Sequence, residues 1–456
     1  MRRGYLFVIG GGLVVILILV ALFLLGGRKP VNVQPVSLEW WGVFDDTADV
    51  ESIINAYRTN HPYITITYKK FRYEEYEDSL IQAWARGSGP DIFAIPNSWV
   101  HKFQANGFLT PMPLSTRMAF YSLSRPLGIK QELKIEYRDV PSLTTTDIAN
   151  RFVQTVQSDT IINGGVYGLP LSMDTLALFY NRDLLNFAVI TQPPATWNEF
   201  LDAITRLTLL DTAGGIVQAG AALGTYDNIP RAFDIISVLM MQNGAQMVNE
   251  QLHLSFNQAV PGSSDAPGVQ ALQFYTDFAQ PTKQAYTWNV LMPDAFEAFV
   301  NGQVAFFVGY QYHRDLLRDR SGRVSWSVST LPQVDSRRPV NYANYWLQSV
   351  ATRSLHSNEA WNFIQFLART DVEKEYINKT GRTPALVELL NEQIQSQDPI
   401  IQVFAQQAIT AKSWYQGKSP TETEEIFGSM ISAVLNGTMT PAEAAATAVQ
   451  RAQTIY

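Results

Sequence analysis

Between residues 36 and 112, short apolar runs alternate with segments whose apolar residues recur at helical spacing. "VSLEWWGVFDD" (36 to 46) reads as a strand ending in Trp40, Trp41 and Gly42, and "DVESIINAYRTNHP" as an amphipathic helix. "ITITYKKF" alternates as a strand, and "YEEYEDSLIQAWARGSGPD" reads as a second helix stopped by Gly-Ser-Gly-Pro. In "GSGPDIFAIPNSWVHKFQANGFLTPM", Ile92 to Ile95 form an apolar run of the kind that a parallel sheet covers on both faces. Strands alternating with helices give an α/β domain with a mostly parallel sheet, whose ligands bind beyond the carboxyl ends of the strands. Trp41 and Trp99 each stand just past such an end, where a crevice belongs.

The chain is long enough for two cores, with 456 residues of which 46% are hydrophobic. A formal charge of -7 argues against a face built for phosphate backbones, so nucleic acid is not an expected partner. The absence of cysteine excludes disulfides, thiolate metal sites and a lipid-modified N-terminal cysteine. No H-E-x-x-H, G-x-S-x-G or P-loop occurs, and His61, His101, His253, His313 and His356 lack metal-ligand spacing. No cofactor or metal is expected, and "YEEYEDS" reads as a solvated helix face rather than a calcium site.

At the N-terminus, Gly4 to Gly27 runs without a charge, long enough at about 1.5 Å per residue to cross a hydrocarbon core roughly 30 Å thick. It reads as a retained single-pass anchor, since it exceeds a signal peptide's apolar part and no A-x-A-like site follows. Basic residues flank both ends, so charge alone orients it weakly. "RKPVNVQPVS" then reads as a short extended spacer.

Beyond these local signals, "GSGPDIFAIPNSWVHKFQANGFLTPM", "VYGLPLSMDTLALFYNRDLL", "PPATWNEFLDAITRLT", "AFEAFVNGQVAFFVGY", "NEAWNFIQFLA" and "GRTPAL" follow one another in a recognisable order. In that order the chain from residue 37 onward resembles the extracellular solute-binding proteins of ATP-driven (ABC) importers, in the group containing the maltodextrin-binding proteins. The resemblance implies an α/β, two-lobed periplasmic-binding-protein fold (type II) with interleaved lobes and a ligand cleft, here preceded by an N-terminal transmembrane helix. It implies a folded part outside the cytoplasmic membrane, a small-molecule solute, and separate membrane and ATPase subunits as partners. The chain is expected to act as a monomer. The expected division is 1-28 anchor, 29-36 linker, 37-172 first lobe with an insertion near 113-146, 173-343 second lobe, 344-380 return to the first lobe and 381-456 second-lobe helices. Crossings are expected near Ser172 to Asp174, Tyr342 to Trp346 and Gly381 to Pro384.

The candidate ligand contacts are aromatic rings and short polar groups at strand ends. Trp41, Trp99, Tyr310, Tyr312, Tyr345 and Trp346 could cover the apolar C–H face of a sugar. Asp45, Asp46, Asn97, Asp174 and Asp227 could hydrogen-bond its hydroxyls, with Ser98 beside Asn97. The place of Asp174 is implied by the resemblance, while Asp45 and Asp46 serve equally well as helix caps. Arg231 is the basic residue that could meet a phosphate-bearing ligand, and Arg382 reads as a turn-stabilising arginine. Together the set suits a carbohydrate. The rival classes are a glycosidase using Asp45 with Asp174, and a surface sensor or adhesion module on the same fold.

Overall fold

The computed structural model describes residues 33–124, 132–260, 262, 264, 266–320 and 324–456, and of Ser124 and Glu132 the backbone only. The expected anchor at 1-28 lies outside the described residues, among which no helix is long and apolar enough to cross a membrane.

Two five-stranded sheets, each with its own core, organise the chain. In the first, Val36–Gly42 lies between Ile64–Lys70 and Ile92–Pro96, all parallel. Trp346–Val350 then adds antiparallel to Ile92–Pro96, and Leu169–Pro170 closes the edge. All five residues of Ile92–Pro96 are buried, as the continuous apolar run requires for a strand covered on both faces. In the second sheet Ile216–Ala221 runs parallel to Val304–Gly309, which pairs antiparallel with Ala177–Asn181, itself antiparallel to Trp326–Ser329. The helix Trp197–Leu207 shows how the outer layer attaches: Thr196 and Glu199 form a capping box, and Trp197, Phe200, Ala203, Ile204 and Leu207 bury one stripe.

A small third sheet joins the two lobes, with Asn341–Asn344 between Asp174–Thr175 and Ala411–Lys412. Two of these strands coincide with expected crossings. The return to the second core expected at 381 comes later. Gly381 to Thr383 reach towards the second lobe, with Gln311 Nε2 donating to Gly381 O at 2.9 Å and Thr383 N donating to Gln311 Oε1 at 3.0 Å. Leu386, Leu389 and Leu390 nevertheless pack in the first core, and the helix Pro399–Ile409 makes the passage, with Ala405 and Ala408 in the first core and Phe404 in the second, before Trp414 enters the second. The stretch near 113-146 forms a long hairpin, Ser115–Ser124 with Glu132–Pro141, and the start of a helix, Thr145–Arg151.

Candidate functional site

The first lobe presents aromatic rings where its strands end. Phe44 follows Val36–Gly42, Tyr73 opens the helix after Ile64–Lys70, and Trp346 begins the strand paired through Pro96 with Ile92–Pro96. Parallel order brings the carboxyl ends of the first three strands to one edge, and the antiparallel fourth contributes its amino end there. Phe44 and Tyr73 are about half exposed, at 48% and 47%, and Trp346 is half-buried between them. The Trp346 ring lies 5.1 Å from Phe44, edge to face, and 6.1 Å from Tyr73, with Tyr76 and Trp99 at 6.0 and 6.5 Å.

The second lobe presents charge and a ring. Tyr226, Asp227 and Arg231 follow Ile216–Ala221, Tyr312 follows Val304–Gly309, and Glu424 comes from the helix Pro420–Leu435. Tyr312 is exposed and stacks on His313 at 4.0 Å. Arg231 stands at φ 62°, a left-handed conformation uncommon outside glycine, asparagine and aspartate. There its guanidinium makes a two-pronged contact with Asp234, at 2.7 and 2.9 Å, and reaches Glu424 at 3.4 Å. Asp234 also accepts the Tyr310 hydroxyl at 2.6 Å. One cation therefore faces two carboxylates. Gly428 lets the helix lie against Tyr226, because a Cβ there would come within 2.6 Å of the ring.

These walls face each other. Burial raises the pKa of the Tyr73 hydroxyl, Arg231 lowers it, and Glu424 and Asp234 raise it, so a first-lobe ring sits in the field of the second-lobe cluster. The hinge supplies the floor. Asp174 Oδ1 accepts the N–H groups of Thr175 and Gln311, both at 2.8 Å, yet burial still pushes its carboxyl up to about 7.

Of the candidates, Trp346, Tyr312, Arg231 and Asp174 are brought to this cleft, and Asp227 is exposed on the loop beside it. Others are engaged elsewhere. Trp41 is buried against Phe71 at 4.2 Å, its Nε1 donating to Glu39 Oε1 at 2.9 Å. Trp99 is buried and stacked on Phe103 at 5.5 Å. Tyr310 and Tyr345 are packed rather than open, with their hydroxyls committed to Asp234 and Asp159. Asn97 also binds Asp159, at 2.9 Å, tying the end of Ile92–Pro96 to the hinge, and Ser98 is half-buried in the turn that follows. Asp46 caps the helix Thr47–Asn60 in a box with Asp49. Asp45 pairs with Arg382 at 2.8 Å and accepts the Tyr376 hydroxyl at 2.7 Å, so no free carboxylate stands there to partner Asp174. Arg382 is the anchoring arginine of that knot.

Phe44, Tyr73, Tyr226 and Glu424 join the cleft without having been singled out. Phe44 lies two residues beyond Gly42 and Tyr73 three beyond Lys70, so distance past a strand end was the available signal. Glu424 lies on a helix far along the chain and had none. A separate cavity of about 300 Å³, lined by Trp197, Leu239, Asn243 and Phe274, sits at the far end of Ala232–Gln242 from Arg231. At ~1.5 Å per residue that places it roughly 15 Å from the cleft.

A family model described as bacterial extracellular solute-binding protein matches residues 52–403. Among curated proteins, the maltotriose-binding protein of Pyrococcus abyssi is 21% identical over 384 residues, 82% of this chain and 70% of its own. The galactooligosaccharide-binding protein of Bacillus subtilis is 21% identical over 424 residues, 91% of this chain and 88% of its own. Among solved structures, the cyclic alpha-maltosyl-1,6-maltose binding protein of Arthrobacter globiformis superposes with a TM-score of 0.74 at 18% identity, covering 92% of this chain and 99% of that one. The fold is thus that of the two-lobed periplasmic binding proteins, and the chain belongs to the bacterial extracellular solute-binding protein family.

Proposed function

We propose that the chain captures a neutral oligosaccharide between its lobes and delivers it to the membrane subunits of an ABC-type importer, held at the membrane by residues 4–27. The observation that carries the reading is the pairing of an aromatic wall, Phe44, Tyr73 and Trp346, with a wall of fixed carboxylates. Rings cover the C–H face of a sugar, and Glu424, Asp227 and Asp174 are acceptors for its hydroxyls. Arg231 is already neutralised by Asp234 and Glu424, which leaves the second-lobe wall acidic and disfavours a phosphate or a uronate. Relatives named for maltotriose and galactooligosaccharide support the same substrate class.

Thermal unfolding against neutral oligosaccharides, sugar phosphates and polyamines tests this. A ligand bound only by the folded state at 100 times its Kd adds about 2.7 kcal/mol. The expected result is a raised Tm with one or more neutral oligosaccharides and none with sugar phosphates. Stabilisation by polyamines alone would contradict the carbohydrate reading.

A further inference from the structure

The cavity of about 300 Å³ in the second lobe lies where the ends of three helices meet the loop that leads to the hinge strand. The start of Trp197–Leu207 is laced to that loop: Gln333 N donates to Ala195 O at 3.0 Å, and Trp197 N to Gln333 O at 3.4 Å. The end of Ala232–Gln242 is tied to the start of the helix Pro267–Asp277, with Asn243 Nδ2 donating to Pro267 O at 2.8 Å.

The lining divides into fixed and free groups. Trp197 and Phe274 form an aromatic wall, edge to face with centroids 5.7 Å apart, and buried Leu239 and Ala271 extend its apolar part. Trp197 Nε1 donates to Gln242 Oε1 at 2.7 Å, and Gln242 Nε2 is itself anchored to Pro332 O and Val340 O, at 3.1 and 2.9 Å. Buried Gln333 is committed on both ends. Its Nε2 donates to Leu331 O at 2.9 Å and Asn341 Oδ1 at 3.1 Å, and its Oε1 accepts the Val340 N–H at 2.9 Å. The rim is different. Gln270 stands one turn from Phe274 on the same helix face and is exposed, as is Asn198. Gln270 Oε1 accepts from Asn243 Nδ2 at 3.2 Å, but among the described residues neither Gln270 Nε2 nor the Asn198 side-chain amide has a hydrogen-bond partner.

Among the described residues, no side chain lining the cavity carries a charge. A charged ligand would therefore give up hydration without a counter-ion, and a purely apolar one would cover amides left unpaired. A ring with an apolar C–H face and hydroxyls round its edge suits both halves of the lining. Its face meets Trp197 and Phe274, and its hydroxyls meet Asn198, Asn243 and Gln270. The volume is that of roughly ten waters at ~30 Å³ each, at the lower end of the roughly 300–1,000 Å³ of small-molecule sites. That is room for one such ring rather than a chain.

We propose that this cavity is a second sugar site, taking a single neutral monosaccharide unit. It binds independently of the cleft and does not rest on the reading of the cleft. Its aromatic wall and Gln333 are already held by bonds to the segment entering Asn341–Asn344, so little ordering is lost on binding.

The indole N–H of Trp197 reports the site. In the full chain, kept in a sugar-free detergent and carrying isotope-labelled tryptophan, D-glucose and D-galactose are titrated one at a time by NMR. Trp197→Phe assigns the resonance. At least one of the two sugars is expected to move it saturably, with a Kd on the order of 1 mM that is unchanged in Trp346→Ala. Gln270→Leu and Asn198→Leu, both at exposed rim positions, are each expected to weaken that binding about 3- to 10-fold. No saturable shift with either sugar overturns the site. A shift lost in Trp346→Ala overturns it too, because Trp197 would then only sense the cleft. An equal response to glucose 6-phosphate contradicts the neutral class, and an unaltered Kd in both rim variants contradicts placement of the sugar in this cavity.

Discussion

At the residue scale, the tryptophans separate packing from recognition. Trp40 is fully buried, its Nε1 donating to Gln348 Oε1 at 2.7 Å, as alternation along the strand leads one to expect. Trp41 points to the other face and is buried as well, because this sheet is covered on both sides. Strand alternation therefore divides the two rings between faces without telling which face is open, and the same blindness applies to Trp99 and Tyr345. Trp346 was legible because it lies where the hinge strand hands over to the sheet. The two classes should behave differently on truncation. Trp41→Ala is expected to cost about 3 to 5 kcal/mol of stability in denaturant unfolding. Trp346→Ala is expected to leave stability nearly intact and weaken sugar binding by about 1 to 4 kcal/mol in calorimetry. The reverse pattern would move the site off the Trp346 wall.

At the element scale, the hinge and the helix beside it depend on buried carboxylates. The alternation of strands and helices in residues 36 to 112 was readable because each element carries its own period, whereas the last crossing was not. "GRTPAL" looks like a passage, but Glu373 from the helix Thr370–Thr380 accepts the N–H groups of Ala385 and Leu386, at 2.9 and 3.2 Å, and keeps that stretch with the first core. Such a bond between a helix and a distant loop leaves no periodic trace in sequence. Burial pushes the Glu373 carboxyl up to about 8, from an ordinary value of 4.5. The folded state then holds this proton more tightly than the unfolded chain. Its contribution is fully present below about pH 4.5 and is lost as pH rises towards 8. Glu373→Gln should flatten that part of the stability profile, so the Tm difference between pH 5 and pH 8 is expected to shrink relative to the unaltered chain. An unchanged difference in differential scanning fluorimetry would place the titrating group elsewhere.

At the scale of the whole molecule, neither lobe encloses a ligand by itself. The aromatic wall belongs to the first sheet, the Arg231–Asp234–Glu424 cluster to the second lobe, and the narrow sheet around Asn341–Asn344 joins them. The two-lobed plan was legible from the order of segments along the chain; the partition of residues between the walls was not, because it is set by contacts between segments hundreds of residues apart. A solute touching both walls has its full affinity only when they are close, so it shifts the population towards the closed form. The direct measurement is the separation of two spin labels, at Arg72→Cys beside Tyr73 and Leu291→Cys on the second lobe, both at well-exposed positions. With a saturating oligosaccharide identified by thermal shift, the account predicts a shorter and narrower distance distribution than in the free protein. An unchanged distribution at full occupancy would contradict capture by closure of the two lobes.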